Sequence, residues 1–467
     1  VTVPSFAVVG RPNKGKSSIV ATLARDDTVH IAAGAGSTRR ARRFPMRIDG
    51  QTLYELVDTP GIQRARSVLA WLQANSSDAS SRPETVRRFV AEHSEDPQYE
   101  HECQALAPIV EGAGIIYVVD GSCPFGPEYE AEMEILRWTG RPSLALINPI
   151  ESDEFVEQWT AGLGQYFQTV RVFDAHRAEA DKQLDLLELF GHLDPEWREP
   201  LHRAVEILRE DRELQHRSAS GLITDLIVDA LTYSIEQPVP DGLPEEPVQK
   251  LLLSSYKSHI VKLERQCRKQ VEELFYYSDL QKSERKIALE DSDLFDERDW
   301  YLWGLSKWQL VTAAASAGGV AGGGAGLAID AATGGLLGGL GTAISGIGGA
   351  VGSAAGAIKY ADDIAQFRVR GIPTGGTMLS CGPSKNVNFP FVLLGRALLH
   401  HQLLSRRTHA AQDKMDLDKP VLEWMSDRER RKLAQIFEDI RAGKKLAKRR
   451  SELADMVLQW CLGPAGD

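Results

Sequence analysis

Residues 10–18 constrain this chain more than any other stretch. Gly10-Arg11-Pro12-Asn13-Lys14-Gly15-Lys16-Ser17-Ser18 follow the short apolar run Ser5-Phe6-Ala7-Val8-Val9. They lead into Ser18-Ile19-Val20-Ala21-Thr22-Leu23-Ala24, a stretch that reads as helix. A G-x-x-x-x-G-K-S loop set between a strand and a helix is built to hold phosphate. Its glycines let backbone N–H groups curl around the anion, and the helix start adds free N–H groups and the positive end of its dipole. Lys16 is expected to reach the β- and γ-phosphate oxygens, and the Ser17 hydroxyl to ligate Mg²⁺. The competing reading, a glycine-rich turn that fits the pattern by accident, is weakened by the strand before it and the helix after it. The expected nucleotide contacts in the loop are Gly10, Asn13, Lys14, Gly15, Lys16, Ser17 and Ser18.

A second element reinforces the first. The apolar strand Leu53-Tyr54-Glu55-Leu56-Val57 ends in Asp58-Thr59-Pro60-Gly61. An acid at the end of a neighbouring strand holds Mg²⁺ from the side opposite Ser17, and the Gly61 N–H can then face the γ-phosphate. Between the two lies Gly36-Ser37-Thr38-Arg39-Arg40, where Thr38 is expected to complete the metal shell. The expected metal ligands are therefore Ser17, Thr38 and Asp58, and the expected catalytic set is Lys16, Thr38 and Gly61. Residues 114–120 and 143–148 are continuous apolar runs of the kind found in buried parallel strands, and 170–174 reads as a last strand. Helical stretches separate them. The expected fold is an α/β domain with a doubly wound, mostly parallel sheet over residues 1–185, followed by a mainly α-helical C-terminal region.

These motifs resemble the Era/TrmE branch of bacterial GTPases, which matches the G-R-P-N-x-G-K-S-S loop, the S-T-R segment and the D-T-P-G turn. The remainder is similar to a bacterial family that joins such a G domain to a C-terminal domain of unknown function. Its Gly/Ala-rich tract and Asn386-Val387-Asn388-Phe389-Pro390-Phe391-Val392-Leu393-Leu394 carry that second likeness. The first resemblance implies GTP and GDP as ligands, with an N-K-x-D motif reading guanine. Here the corresponding residues are Asn148-Pro149-Ile150-Glu151. Asn148 can still meet the base, Glu151 can supply the two acceptor oxygens, and Pro149 removes the lysine that normally lies along the base. Ala175, in Asp174-Ala175-His176, offers its N–H to guanine O6. GTP is expected over ATP, with looser selectivity than usual.

The residue after Gly61 is Ile62, with Gln63 one place later, so a water-positioning glutamine is not where the Ras arrangement puts it. Members of the resembled branch that lack this glutamine often use K⁺ held by the loop asparagine, together with G-domain dimers. Asn13 occupies that position. Two readings stay open: Asn13 as a K⁺ ligand, with the cation neutralising charge, or Asn13 as a brace for the loop.

Beyond these motifs the sequence divides by composition. Residues 62–113 form a long polar insertion with helical stretches at 64–72 and 83–91, a candidate switch or partner surface. A helical domain is expected over 190–299, its periodicity clearest over about 196–280, with one helix ending before 237–247 and another over 248–274. The tract 310–358, within a segment 300–362, is rich in Gly and Ala, carries one charge, Asp330, and has aromatic and lysine flanks. Its small residues recur at i+4, and each half is long enough to cross a bilayer, so the expectation is a membrane hairpin meeting lipid through 308–358. A buried soluble hairpin is the alternative. Residues 363–467 complete the chain, with amphipathic helices expected at 392–405 and 427–440 and a basic run at 441–450.

Five dispersed cysteines without a C-x-x-C pair suit a reducing, cytoplasmic compartment better than a disulfide framework or a zinc site. A formal net charge of -11 argues against electrostatic binding of nucleic acid. Because Ser5-Phe6-Ala7-Val8-Val9 begins almost at once, no signal peptide is expected before the first strand. Three functions compete: a GTPase switch at the cytoplasmic face of a bacterial inner membrane, an Era-like GTPase of ribosome or RNA assembly, and a nucleotide-binding scaffold with weak turnover.

Overall fold

The computed structural model describes residues 3–26, 40–178, 180–242, 244–277, 294–295, 367–371, 377–406, 408 and 425–462. Thr38 and the whole 310–358 tract lie outside these residues. The chain divides into two units. The first comprises the described residues of 1–214, 276–279 and 406–413; the second comprises those of 215–275, 280–405 and 414–467.

The first unit is the expected α/β domain with a mostly parallel sheet. Strands β1 (Ser5–Val9), β2 (Arg42–Ile48), β3 (Gln51–Asp58), β4 (Gly114–Asp120), β5 (Ser143–Asn148) and β6 (Val170–Val172) lie in the order β2-β3-β1-β4-β5-β6. All neighbours are parallel except β2 and β3. Helices cover both faces, so β1 and β4 are buried on both sides, which explains their unbroken apolar sequences. Alternate residues of β1 serve the two cores. Phe6 and Val8 pack with Ile19, Leu56 and Ile116, whereas Ala7 and Val9 pack with Val68, Leu106 and Tyr117.

Strand β2 has no counterpart among the expected strands. Its sequence, RRFPMRI, hides it, since two arginines and a proline argue against a central strand. At the sheet edge those residues are tolerated, because the outer ladder faces water.

Helix α1 (Lys16–Ala24) begins immediately after Gly15. The insertion holds three helices: α2 (Ala65–Asn75), α3 (Arg82–His93) and α4 (Glu100–Val110). The first two match the expected stretches, but α4 was obscured by its internal Pro108. The sheet is completed by α5 (Glu130–Trp138), α6 (Val156–Leu163) and α7 (Ala180–Leu193).

Helix α8 (Pro195–Thr232) is continuous and supplies residues to both units. The second unit, mainly helical as expected, adds α9 (Glu245–Leu274), α10 (Phe389–Arg406), α11 (Asp427–Arg441) and α12 (Leu446–Leu462). It also contains an antiparallel sheet absent from the sequence reading. Strand β7 (Ile235–Val239) pairs with β9 (Thr377–Cys381), which pairs with β8 (Phe367–Gly371). The stretch 237–247, read as a separator, therefore contains part of a strand.

Helix α10 departs from its expected amphipathic character. Most of its residues are buried around the full circumference, including Arg396, His400 and His401. Arg396 Nε lies 2.6 Å from Glu264 Oε1 of α9, which compensates the buried guanidinium. Helix α11 is amphipathic as expected, with Leu433, Ile436, Phe437 and Ile440 inward and a Ser426–Glu429 capping box. In the basic run, Arg449 pairs with Asp439 and Glu452, and Arg450 with Asp225. Arg441 also pairs with Glu438 and Lys448 with Glu452, so four of the six cations of the run have carboxylate partners within the unit.

Candidate nucleotide site

The site lies where β1, β3 and β5 end. Gly10 has φ 141° and Gly15 φ 81°, and both make close approaches that exclude a side chain. A Cβ on Gly10 would lie 2.4 Å from the Val118 carbonyl oxygen, and one on Gly15 would lie 2.1 Å from Asn148 Nδ2. Asn13, exposed, adopts φ 62° between them. The glycine pattern is thus explained by backbone conformation and by the strand ends packed behind the loop.

Lys16 and Ser17 open α1. The Lys16 ammonium folds back to donate to the Arg11 carbonyl at 2.8 Å and is 7% exposed. Burial lowers its pKa to about 8, against the pull of Asp58 and Glu132. Ser17 Oγ donates to Asp58 Oδ2 at 2.9 Å, joining the loop to the end of β3. Ser18 is buried in the start of the helix. Thr59 Oγ1 donates to the Val8 carbonyl at 2.7 Å and fixes the turn after Asp58 against β1. Gly61 sits against Pro12, where an added Cβ would come within 2.5 Å of Pro12 N.

Two buried acids that the sequence did not single out hold the loop from outside. Glu132 of α5 accepts from Arg11 Nε at 2.6 Å and from the Tyr117 hydroxyl at 3.1 Å. Burial raises its pKa to about 7, although Arg11 opposes the shift. Arg11 also lies over the Tyr129 ring, 4.6 Å from its centroid. Asp120 accepts from Lys14 Nζ at 3.2 Å. The strand end at Asp120 was visible in the sequence, but nothing there indicated a partner 106 residues away.

On the base side, Asn148 Oδ1 accepts from the Ala175 N–H at 3.2 Å, and the Thr22 hydroxyl donates to the Ala175 carbonyl at 2.8 Å. Asn148, Ala175 and Gly15 are therefore brought together. The Ala175 N–H proposed for guanine O6 is engaged by Asn148 in this structure. Glu151 is exposed on the loop beyond β5.

Behind Gly61, Ile62 is 2% exposed and packs into the apolar core with Ala65 and Val68. Gln63 Nε2 lies 2.8 Å from His101 Nδ1 of α4. The buried carboxylate of Glu102 accepts the backbone N–H of Gln63 at 3.0 Å and of Arg64 at 2.7 Å, capping the start of α2 from another helix. Gln104 Oε1 accepts the Ala41 N–H at 3.1 Å.

The strand order, the phosphate loop with its buried lysine, and the Ser17–Asp58 junction define a P-loop GTPase domain. A family model described as "50S ribosome-binding GTPase" matches residues 5–148. A second, described as "Domain of unknown function (DUF3482)", matches residues 161–457, and the chain belongs to that family. Among curated proteins, GTPase Der of Xylella fastidiosa is 31% identical over 227 residues, covering 47% of this chain and 40% of Der. GTPase Der of Mycoplasma pneumoniae is 39% identical over 71 residues, covering 15% of this chain and 16% of Der. The chain thus spans well under two thirds of the curated relatives it matches. A solved structure of Aquifex aeolicus Era bound to GDP·AlF4⁻ is 15% identical, covering 59% of this chain and 90% of Era at a TM-score of 0.28.

Proposed function

We propose that this protein binds GTP with Mg²⁺ and hydrolyses it to GDP and phosphate, acting as a nucleotide-dependent switch of the Era/TrmE type. The observation that carries the reading is the convergence of Lys16, Ser17 and Asp58 on one loop. Ser17 and Asp58 offer hard oxygen donors 2.9 Å apart, a set that suits Mg²⁺. Thr38 is the third proposed ligand. The cation would neutralise charge on the phosphate oxygens. Lys16 would bind β- and γ-oxygens, the Gly61 N–H would face the γ-phosphate, and Asn148 and Glu151 would read the base, with Ala175 contributing its N–H once Asn148 turns from it to the base.

Neither Ile62 nor Gln63 presents a polar group suited to orienting water, since the first is buried and the second turns to His101. That arrangement supports slow intrinsic turnover, with K⁺ at Asn13 and G-domain pairing supplying what is missing. Membrane association through 308–358 is the location we propose, at the cytoplasmic face of the inner membrane. Among the described residues, no helix is long and apolar enough to cross a membrane. The RNA-assembly reading is weaker, because the formal net charge is -11 and Arg441, Lys448, Arg449 and Arg450 of the basic run already pair with carboxylates.

Calorimetry with GTP, GDP and ATP, and phosphate release in K⁺ or Na⁺, test the reading. Guanine nucleotides bind more tightly than adenine nucleotides, Ser17→Ala removes the Mg²⁺ dependence, and K⁺ accelerates turnover. Absence of binding to any purine triphosphate refutes it, and equal rates in the two salts refute the role of Asn13.

A further inference from the structure

Lys14 sits in the phosphate loop, where its backbone N–H is the group left to meet a phosphate, because its ammonium is paired with Asp120. The ammonium donates to Asp120 Oδ2 at 3.2 Å, with the two side chains only 15% and 8% exposed. The carboxylate is itself held in place. Its Oδ1 accepts from Ser122 N at 2.9 Å and Ser122 Oγ at 2.5 Å, and its Oδ2 accepts from the Cys123 thiol at 3.2 Å.

Asp120 is also the register partner of Asn148 across β4 and β5, and the Gly121 N–H donates to the Asn148 carbonyl at 3.0 Å. On its other side Asn148 packs its amide against Gly15, the residue after Lys14. The contacts close a ring from Lys14 to Asp120, through paired backbone to Asn148, and back to the loop at Gly15. Pro149 and Ile150, which follow Asn148, carry no charge with which the base-side loop could hold itself down. Asn148 Nδ2 is buried against Gly15 and has no hydrogen-bond partner among the described residues.

We infer that the Lys14–Asp120 ion pair is a positioning clamp: it fixes the strand ends carrying Asn148 against the phosphate loop, and so governs the hold on the nucleobase rather than on the phosphates. The inference rests on the nucleotide reading above. A mostly buried ion pair suits this task because solvent screens it little.

The test compares GDP with tripolyphosphate, a ligand with no base, both with Mg²⁺, on the full chain. Lys14→Met removes the cation, and Asp120→Asn removes the anion with little change of shape. Each variant weakens GDP binding about tenfold and leaves tripolyphosphate within about twofold, and the double variant is no worse than either single one. Thermal unfolding without ligand confirms that each variant is folded. Equal losses for both ligands place Lys14 at the phosphates and overturn the clamp, as do additive losses in the double variant or unchanged GDP affinity. If the unsubstituted protein binds tripolyphosphate but not GDP, the base reading fails; if it binds neither, the nucleotide reading itself fails.

Discussion

The Lys16 ammonium donates to the Arg11 carbonyl at 2.8 Å, within the loop that it closes. Burial has lowered its pKa to about 8. Above that pH the free protein holds a neutral amine, and binding a phosphate anion must draw a proton from solvent. Nucleotide affinity should therefore hold steady below pH 8 and decline above it, approaching tenfold per pH unit. Calorimetry in buffers of different ionisation enthalpy should detect proton uptake near pH 9. Constant affinity from pH 7 to 9.5 would contradict the assignment of Lys16 to the phosphates.

Gly15 and Gly50 share a left-handed backbone, with φ 81° and 77°, but differ in surroundings. An added Cβ meets nothing within 4 Å at Gly50 and meets Asn148 Nδ2 at 2.1 Å at Gly15. Gly50→Ala should cost about 1 kcal/mol of stability, the backbone penalty alone, and leave GDP affinity intact. Gly15→Ala should cost more and weaken GDP at least a hundredfold, because Asn148 is 1% exposed and has no room to retreat. Urea unfolding and GDP titration of the two variants separate backbone strain from the clash.

His400 and His401 on α10 are 1% and 0% exposed, and burial lowers the pKa of each to about 3. At 3.5 Å from Glu272, His400 is thus a neutral neighbour of that carboxylate rather than half of a salt bridge. His401 Nε2 meets His216 Nδ1 at 3.0 Å, which requires at least one of the facing nitrogens to be unprotonated. Unfolded imidazoles titrate near 6.5, so below that pH the unfolded chain takes up protons that the folded unit refuses. The resulting stability is complete above about pH 6.5 and is lost as pH falls toward 3, by up to about 1.4 kcal/mol per pH unit for each histidine. Unfolding midpoints at pH 7 and pH 5 should differ accordingly, and His400→Gln with His401→Gln should flatten the slope.

Among the five cysteines, Cys123 is half-buried and the other four are buried. Burial pushes the thiols of Cys103 and Cys381 up to about 11 and those of Cys267 and Cys461 up to about 12. A thiol reagent at pH 8 should label one site quickly and four slowly, and Cys123→Ser should abolish the fast phase. More than one fast thiol in the native protein would contradict the packing around the others.

What the sequence revealed follows from where the physics is local. The phosphate loop was legible because its glycines encode backbone angles, and β1, β4 and β5 because two-sided burial demands unbroken apolar runs. Strand β2 was not, since an edge strand tolerates Arg42, Arg43 and Pro45, which resemble a loop. The sheet of the second unit escaped because β7 and β9, now paired, lie far apart along the chain. Helix α10 looked amphipathic because Arg396, His400 and His401 count as polar, although Glu264 and His216 receive two of them inside. Among the site residues, Lys16, Ser17 and Asp58 stood in a recognisable order. Asp120 and Glu132 did not, because an acid's burial is decided by Lys14 and Arg11 more than 100 residues away.

Helix α4 grips both chain segments that border the phosphate side of the site, Gln104 taking Ala41 and Glu102 taking Gln63 with Arg64. A shift of either segment must drag this helix along or forfeit its grip. The insertion is thereby tied by hydrogen bonds to the two stretches of chain on either side of Asp58, so that neither can move independently of it.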